Sequence, residues 1–186
     1  MVRIIAGVAR GRKLETLEGL ETRPTLDRVK EAVFGSLQFR IPYAEVLDLF
    51  AGSGSLGLEA VSRGAKHAVL NDRNPDCIGI IRKNIETLGF SETARTLNLD
   101  YEAAIERLTQ EGASFDLAFL DPPYREGLSE NAVRLLFEKR LMKPGGTVVL
   151  EHASDLVPQD APGVYRVKRT KRFGKCGYSL IEEDRQ

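Results

Sequence analysis

The chain has no tryptophan, only two histidines, two cysteines and two methionines among its 186 residues. With His67 and His152 alone, there are too few imidazoles for a histidine-rich metal centre, and no metal is expected. Cys77 and Cys176 lie far apart and neither sits in a metal-ligand spacing, so both read as ordinary reduced thiols. No apolar run is long enough to span a bilayer, and the first residues lack the apolar stretch of a signal peptide. The expectation is a soluble cytoplasmic protein with no membrane partner. Charge of one sign is also missing: 27 basic residues balance 27 acidic ones. No internal repeat and no low-complexity segment occurs.

What is present is a core-forming composition, 42% hydrophobic, at a length that suits one compact domain with a small appendage. The balanced charge hides a segregated one. From Met1 to Leu14 the charges are Arg3, Arg10, Arg12 and Lys13, with no acid. Arg166, Lys168, Arg169, Lys171, Arg172 and Lys175 form a second acid-free stretch near the other end. If the fold brings the two ends together, they make one basic face, which suits a polyanion.

Arg3–Ala6 and Lys13–Leu17 flank a Gly/Arg-rich turn and predict a small hairpin. A helix should follow Thr22-Arg23-Pro24-Thr25, with Thr25 as N-cap and Val29, Ala32, Val33 and Leu37 on its apolar face. From Tyr43 onward, strands and helices alternate. Strands are expected at Glu45–Leu49, His67–Asn71, Arg95–Leu99, Phe115–Leu120 and Thr147–Glu151, with helices between them. Asn74 and Pro75 open one of these helices and Gly89 closes it. Such alternation predicts an α/β fold with a parallel sheet covered on both faces by right-handed crossovers. Val164–Arg172 and Tyr178–Glu182 read as a final hairpin, so the sheet should end antiparallel.

Gly52-Ser53-Gly54-Ser55-Leu56-Gly57 stands between a predicted strand and a predicted helix, where glycines permit a tight turn and close approach of a ligand. Asp72, twenty residues past Gly52, can accept hydrogen bonds from ribose hydroxyls. These features alone imply an adenosine-containing cofactor. Asp48, just before the loop, separates the candidates. A pyrophosphate needs no anion beside it, whereas the ammonium group of an amino-acid cofactor can be bound by a carboxylate. Asp48 could also be a simple turn acid. Asp100 and Tyr101 follow the third strand. Asp100 either accepts from an adenine amino group or caps the next helix, or does both, and Tyr101 offers a stacking ring.

The fourth strand ends in Asp121-Pro122-Pro123-Tyr124. In an open parallel sheet, ligands bind beyond the carboxyl ends of the strands, so Asp121 belongs at the rim with Asp48 and Asp72. The two prolines fix two backbone angles and remove two donors. What remains is a rigid turn offering a carboxylate, carbonyl oxygens and an aromatic face. An exocyclic amine of a base has two hydrogens to give. Asp121 and the Pro122 carbonyl can accept them while Tyr124 stacks on the ring. Holding both hydrogens favours a pyramidal nitrogen with its lone pair aimed at an activated methyl group. Positioning of this kind can supply ~7–11 kcal/mol of a barrier, and Asp121 stabilises the charge developing on nitrogen.

Asp48-Leu49-Phe50-Ala51-Gly52-Ser53-Gly54 resembles the cofactor loop of the class I methyltransferases, and Asp121–Tyr124 resembles the catalytic motif of their amino-methylating members. A closer resemblance spans nearly the whole chain. Arg3–Gly7, Ala9–Leu14 and Thr22–Phe34 are similar to the bacterial RsmD family, whose members methylate N2 of a guanine in small-subunit (16S) ribosomal RNA. The resemblance implies a Rossmann-like fold with a seven-stranded, mostly parallel sheet and an antiparallel C-terminal strand. The first forty residues read differently from the rest, so the chain is expected to comprise an N-terminal hairpin and helix extension, residues 1–40, and a methyltransferase domain, residues 41–186, as a single compact unit overall. The resemblance further implies S-adenosylmethionine as cofactor, S-adenosylhomocysteine as product and no metal. Asp48, Phe50, Ala51, Gly52 and Gly54 would hold the methionine part, Asp72 the ribose, and Asp100 with Tyr101 the adenine. Asp72 stands where many relatives carry glutamate. Asn71 beside it is read as unremarkable. Arg10, Arg12, Lys13, Arg23, Arg28, Lys171, Arg172 and Lys175 become candidate contacts to RNA phosphates, which position a substrate without reading it. The partner would be the ribosomal RNA or the assembling small subunit, met by a monomer.

Two other readings belong beside this one. An amino-methyltransferase of adenine or cytosine would use the same tetrapeptide, but on DNA it would need a target-recognition domain for which 186 residues leave little room. A non-catalytic RNA-binding protein retaining the fold would have no need of Asp121–Tyr124. The basic ends disfavour a small-molecule substrate.

Overall fold

The computed structural model describes residues 2–17, 24–123 and 127–184, leaving aside the side chains of residues 24–27. A two-stranded ribbon comes first, β1 (Val2–Arg3) and β2 (Lys13–Leu14), followed by helix α1 (Pro24–Leu37). Then follow β3 (Glu45–Asp48), α2 (Ser55–Ser62), β4 (His67–Asn71), α3 (Pro75–Leu88), β5 (Ala94–Leu97), α4 (Tyr101–Gln110), β6 (Phe115–Leu120), α5 (Leu128–Glu138) and β7 (Met142–Ala153). A hairpin of β8 (Tyr165–Phe173) and β9 (Cys176–Glu183) ends the fold.

The main sheet has seven strands in the order β5-β4-β3-β6-β7-β9-β8. The first five are parallel; β9 pairs antiparallel with β7, and β8 with β9. This is the expected seven-stranded α/β sheet. The order reverses between β3 and β6, so the carboxyl ends of those two strands flank the crevice where ligands of open sheets bind. Period-two alternation sends Val46, Phe119, Val149 and Tyr178 into one core layer and Leu47, Leu120, Leu150 and Ile181 into the other. The first layer is closed by α1, α2, α3 and the N-terminal ribbon, the second by α4 and α5.

Three expectations at the termini need correcting. The N-terminal hairpin is far shorter than predicted, because its amides leave the ladder for buried side chains. Ile5 N–H and Ala6 N–H donate to the Glu59 carboxylate at 2.7 and 2.9 Å. On the other arm, Glu15 N–H donates to Asn84 Oδ1 at 2.9 Å. Thr25 is not the N-cap of α1, since the helix already begins at Pro24, where a ring that fixes φ and lacks an N–H fits the first turn. In the C-terminal hairpin the turn is only Gly174-Lys175, with Phe173 paired to Cys176, and Gly174 supplies the positive φ such a short loop demands.

Glu59 is fully buried. It also pairs with Lys30 at 3.0 Å and Arg63 at 2.7 Å, so α1, α2 and the N-terminal segment meet on one carboxylate. Docking is tightest at Gly7 (φ +86°), where an added Cβ would lie 1.8 Å from the Ser62 carbonyl oxygen. Gly7→Ala therefore cannot dock without moving backbone. It should cost about 3 kcal/mol in urea unfolding, at the upper end of overpacking penalties. A loss under about 0.5 kcal/mol would mean that the segment does not rest on α2 as described.

Candidate active site

The glycine loop is built by neighbours that fix its backbone. Gly54 takes the left-handed conformation (φ 81°) and caps α2, which a residue with a side chain adopts only under strain. Asp72, half-buried at the end of β4, accepts from Gly52 N–H and from Asn74 N–H, each at 2.9 Å, one on each carboxylate oxygen. Ala51 N–H donates to the Asn71 carbonyl at 2.9 Å.

Asn71, read from the sequence as unremarkable, is the buried hub of this rim. Its amide donates to the Leu49 carbonyl at 3.1 Å and the Leu99 carbonyl at 3.0 Å, and its oxygen accepts from Leu99 N–H. One side chain thus ties together the segments that follow β3, β4 and β5. The signal in the sequence was a polar residue closing an otherwise apolar strand.

Asp48 ends β3 with 1% of its surface exposed. One oxygen accepts from Gly57 N–H at 2.9 Å; the other, Oδ1, is buried and has no hydrogen-bond partner among the described residues. Burial pushes its carboxyl from the ordinary 3.8 to about 7, with Asp121 and Asp72 adding to the rise and Gly57 N–H and Lys30 opposing it. Asp121 lies two residues beyond Phe119, which pairs with Asp48. Its side chain keeps solvent access, but the cleft walls crowd it and raise its carboxyl to about 6. Pro122 behind it is buried and Pro123 is exposed. Tyr124 lies outside the described residues.

Asp100 caps α4, accepting from Glu102 N–H at 3.1 Å. Capping engages one of its oxygens and leaves the second for a ligand. Tyr101 opens α4, its ring 5.7 Å from that of Phe50 and its hydroxyl held by Asn131 at 2.8 Å. Phe50 and Tyr101 thus form a half-buried aromatic wall beside the loop.

One rim residue escaped the sequence reading. Glu151, on β7, follows Leu150, which pairs with Leu120, so it stands beside Asp121. Burial, with Asp121 and Asp48 nearby, holds its carboxyl well above the usual range. Its position at the end of a rim strand, like that of Asp121, was the signal available.

The basic candidates distribute unevenly. Arg10, Lys13 and Arg28 are exposed, whereas Arg12 donates to the Thr87 carbonyl in the last turn of α3. Arg23 lies outside the described residues. On β8, a bulge at Lys168 changes the alternation. Arg166 faces Glu182, Arg169 faces Leu180 and Lys171 faces Tyr178, all toward the layer that also carries the N-terminal ribbon. Without the bulge, Arg169 and Lys171 would point to the opposite face. Arg172 does point there, and Lys175 sits in the hairpin turn at the rim, its carbonyl accepting from Ser154 N–H.

Among the described residues, no group of three or more acids, cysteines and histidines is placed to hold a metal. No helix among them is long and apolar enough to cross a membrane.

Comparison with known proteins bears on this rim directly. Residues 2–182 match the family described as conserved hypothetical protein 95. The ribosomal RNA small subunit methyltransferase D of Haemophilus influenzae is 40% identical over 184 residues, 97% of this chain and 93% of that one. The chain belongs to this methyltransferase family. The RsmD relative from Escherichia coli K12 is 36% identical, covering 100% of this chain and 91% of its own. The solved structure of yhhF from Escherichia coli superposes with a TM-score of 0.85 at 34% identity, covering 100% and 99% of the two chains. The RsmD resemblance seen in the N-terminal segments thus extends over the full length, including the β8–β9 hairpin.

Proposed function

We propose that this chain transfers a methyl group from S-adenosylmethionine to the N2 amino group of a guanine in small-subunit (16S) ribosomal RNA, acting as a cytoplasmic monomer on the RNA or the assembling subunit. Its relatives named for small-subunit ribosomal RNA support the substrate class. The observation that carries the chemistry is the pair of acids at the sheet reversal. Asp48 ends β3 and Asp121 follows β6, on the two strands that flank the crevice.

The cofactor fits on the chain's own terms. A buried Asp48 oxygen without a donor suits the ammonium of an amino-acid cofactor, and Gly52, Gly54 and Ala51 let the backbone come close. Asp72 would hold the ribose with lone pairs its two loop bonds leave free. Asp100 would meet the adenine amino group, with Phe50 and Tyr101 as the ring wall. Bound there, the cofactor supplies a methyl already activated on a sulfonium. Asp121 and the Pro122 carbonyl would hold the two hydrogens of the target amine. Tyr124 would stack on the base, which must leave its helix to reach it. After transfer the nitrogen sheds one proton, to Asp121 or to water.

The N-terminal extension, residues 1–40, serves in this reading as a docked part of the methyltransferase domain, residues 41–186. Arg10, Lys13, Arg28 and Lys171 would track phosphates on one face, with Lys175 and Arg172 beside the rim and a lesser share for Arg12. Arg23 completes the set outside the described residues.

The test is transfer of labelled methyl to undermodified small-subunit RNA, naked and as particles, against large-subunit RNA and DNA. Label confined to the small-subunit RNA supports the reading, and label on DNA alone sinks it. RNA affinity should also fall steeply with salt, with Arg169→Gln/Lys171→Gln reducing the log–log slope by roughly 1–2. An unchanged slope would leave the bulged strand without a role.

A further inference from the structure

The rim holds one more carboxylate than cofactor binding and amine holding require. In parallel strands, side chains at successive positions alternate between faces. Leu47, Leu120 and Leu150 all enter the layer under α4 and α5. Asp48 and Glu151, next in their strands, therefore turn to the opposite face, and Asp121, directly after β6, lies close enough to raise the carboxyls of both. Glu151 confirms this by pairing with Tyr178, which belongs to that opposite layer. Asp121 and Glu151 thus stand side by side at the carboxyl ends of the neighbouring strands β6 and β7, roughly 4.8 Å apart across one strand step, with Asp48 on the same face of β3 two residues further back.

Each acid has a different situation. Asp48 is bonded to the loop on one oxygen and buried on the other. Asp121 follows directly into the two prolines. Glu151 is half-buried, and among the described residues no hydrogen bond or ion pair engages its carboxylate. Burial and the neighbouring Asp121 and Asp48 penalise its charge, and Lys30 offsets part of that penalty. The Glu151 carboxylate is left free to accept a donor brought by the substrate, next to the one that Asp121 takes.

The chemistry of the bases decides which donor. Adenine and cytosine each carry an exocyclic amine whose neighbouring ring nitrogen is a bare lone pair. Guanine alone places a ring N–H, at N1, beside its amine. A second carboxylate next to the first would repel the lone pair of adenine or cytosine and accept the N1 hydrogen of guanine.

We propose that Glu151 is the specificity-determining residue of this site, accepting the guanine N1–H while Asp121 holds the adjacent N2 amine. The inference rests on the guanine-N2 reading above, and deepens it by naming what the Asp-Pro-Pro turn alone lacks, a means of choosing the base.

The experiment uses the full chain under single-turnover conditions, with RNA whose mapped target nucleotide is either guanosine or 2-aminopurine riboside. The analogue keeps the 2-amino group and has a lone pair at N1. The unaltered chain should prefer guanosine by at least about 10²-fold, since a site built to bond an N–H strongly rejects an analogue lacking it. Glu151→Gln, whose amide can donate as well as accept, should narrow that preference to within about tenfold, with cofactor Kd unchanged within about threefold. Equal use of both nucleotides by the unaltered chain would overturn the proposal. So would full discrimination retained by folded Glu151→Gln. Methylation of neither RNA by the unaltered chain would instead defeat the guanine-N2 reading, and the proposal with it.

Discussion

Replacing Asp121 with alanine is expected to lower single-turnover methyl transfer by about 10²–10³-fold, the usual loss when one preorganised electrostatic contact to a reacting group is removed. Cofactor affinity should stay within about tenfold, because Asp121 is assigned to the amine and not to the cofactor. The two effects separate cleanly in a binding titration followed by rapid quench. Pro122 is buried and its ring fixes the backbone, so the turn should hold its shape without the carboxylate. A folded variant that no longer binds the cofactor would show that Asp121 belongs to the cofactor site instead.

The second large effect is a trade between stability and binding at Asp48. Its carboxyl is ordinarily half-ionised at 3.8 but at about 7 in the folded chain. The folded state therefore holds its proton more tightly than the unfolded one. Below 3.8 both states are protonated and Asp48 costs nothing. Between 3.8 and 7 the unfolded state ionises first, and stability falls as pH rises. Above 7 the loss is complete, and a shift of this size corresponds to about 4 kcal/mol. Burial sets it, with Asp121 and Asp72 adding to the rise and Gly57 N–H and Lys30 opposing it. Asp48→Asn removes the charge but leaves an amide donor where Oδ1 was, offsetting about 1–3 kcal/mol. The variant should be less stable than the unaltered chain by about 1–3 kcal/mol near pH 4 and more stable by about 1–3 kcal/mol at pH 8. Its cofactor affinity should fall by about 10–100-fold, the worth of one charge-assisted bond. A stability difference that does not grow with pH, measured by urea unfolding at both values, would contradict the buried, strained state of Asp48.

Much of this architecture is legible in the sequence because it rests on local rules. Asn74, Pro75 and Gly89 bracket α3 as capping chemistry demands, with Asn74 accepting from Asp76 N–H at 3.0 Å. The strands that carry Asp48, Asp72 and Asp121 are short apolar runs ending in a single acid, so both their type and their rim position follow from the pattern. What the sequence conceals depends on tertiary partners. Glu59 and Asn84 take hairpin amides from 53 and 69 residues away, and no local pattern announces that theft. Asn71 looked ordinary because its three bonds reach loops that only the fold makes adjacent. The bulge at Lys168 matters for the same reason: a one-residue phase change is invisible in a segment whose charges are all basic, yet it decides which cations share a face. Glu151 reads in the sequence only as the polar end of a strand, since its neighbour Asp121 is 30 positions away in the chain and next to it in the sheet.

The measurement closest to the central claim is nucleoside mass spectrometry of small-subunit ribosomal RNA after incubation with the protein and labelled S-adenosylmethionine. The account predicts labelled N2-methylguanosine, lost with Asp121→Ala. Label in N6-methyladenosine, with none in N2-methylguanosine, would contradict it.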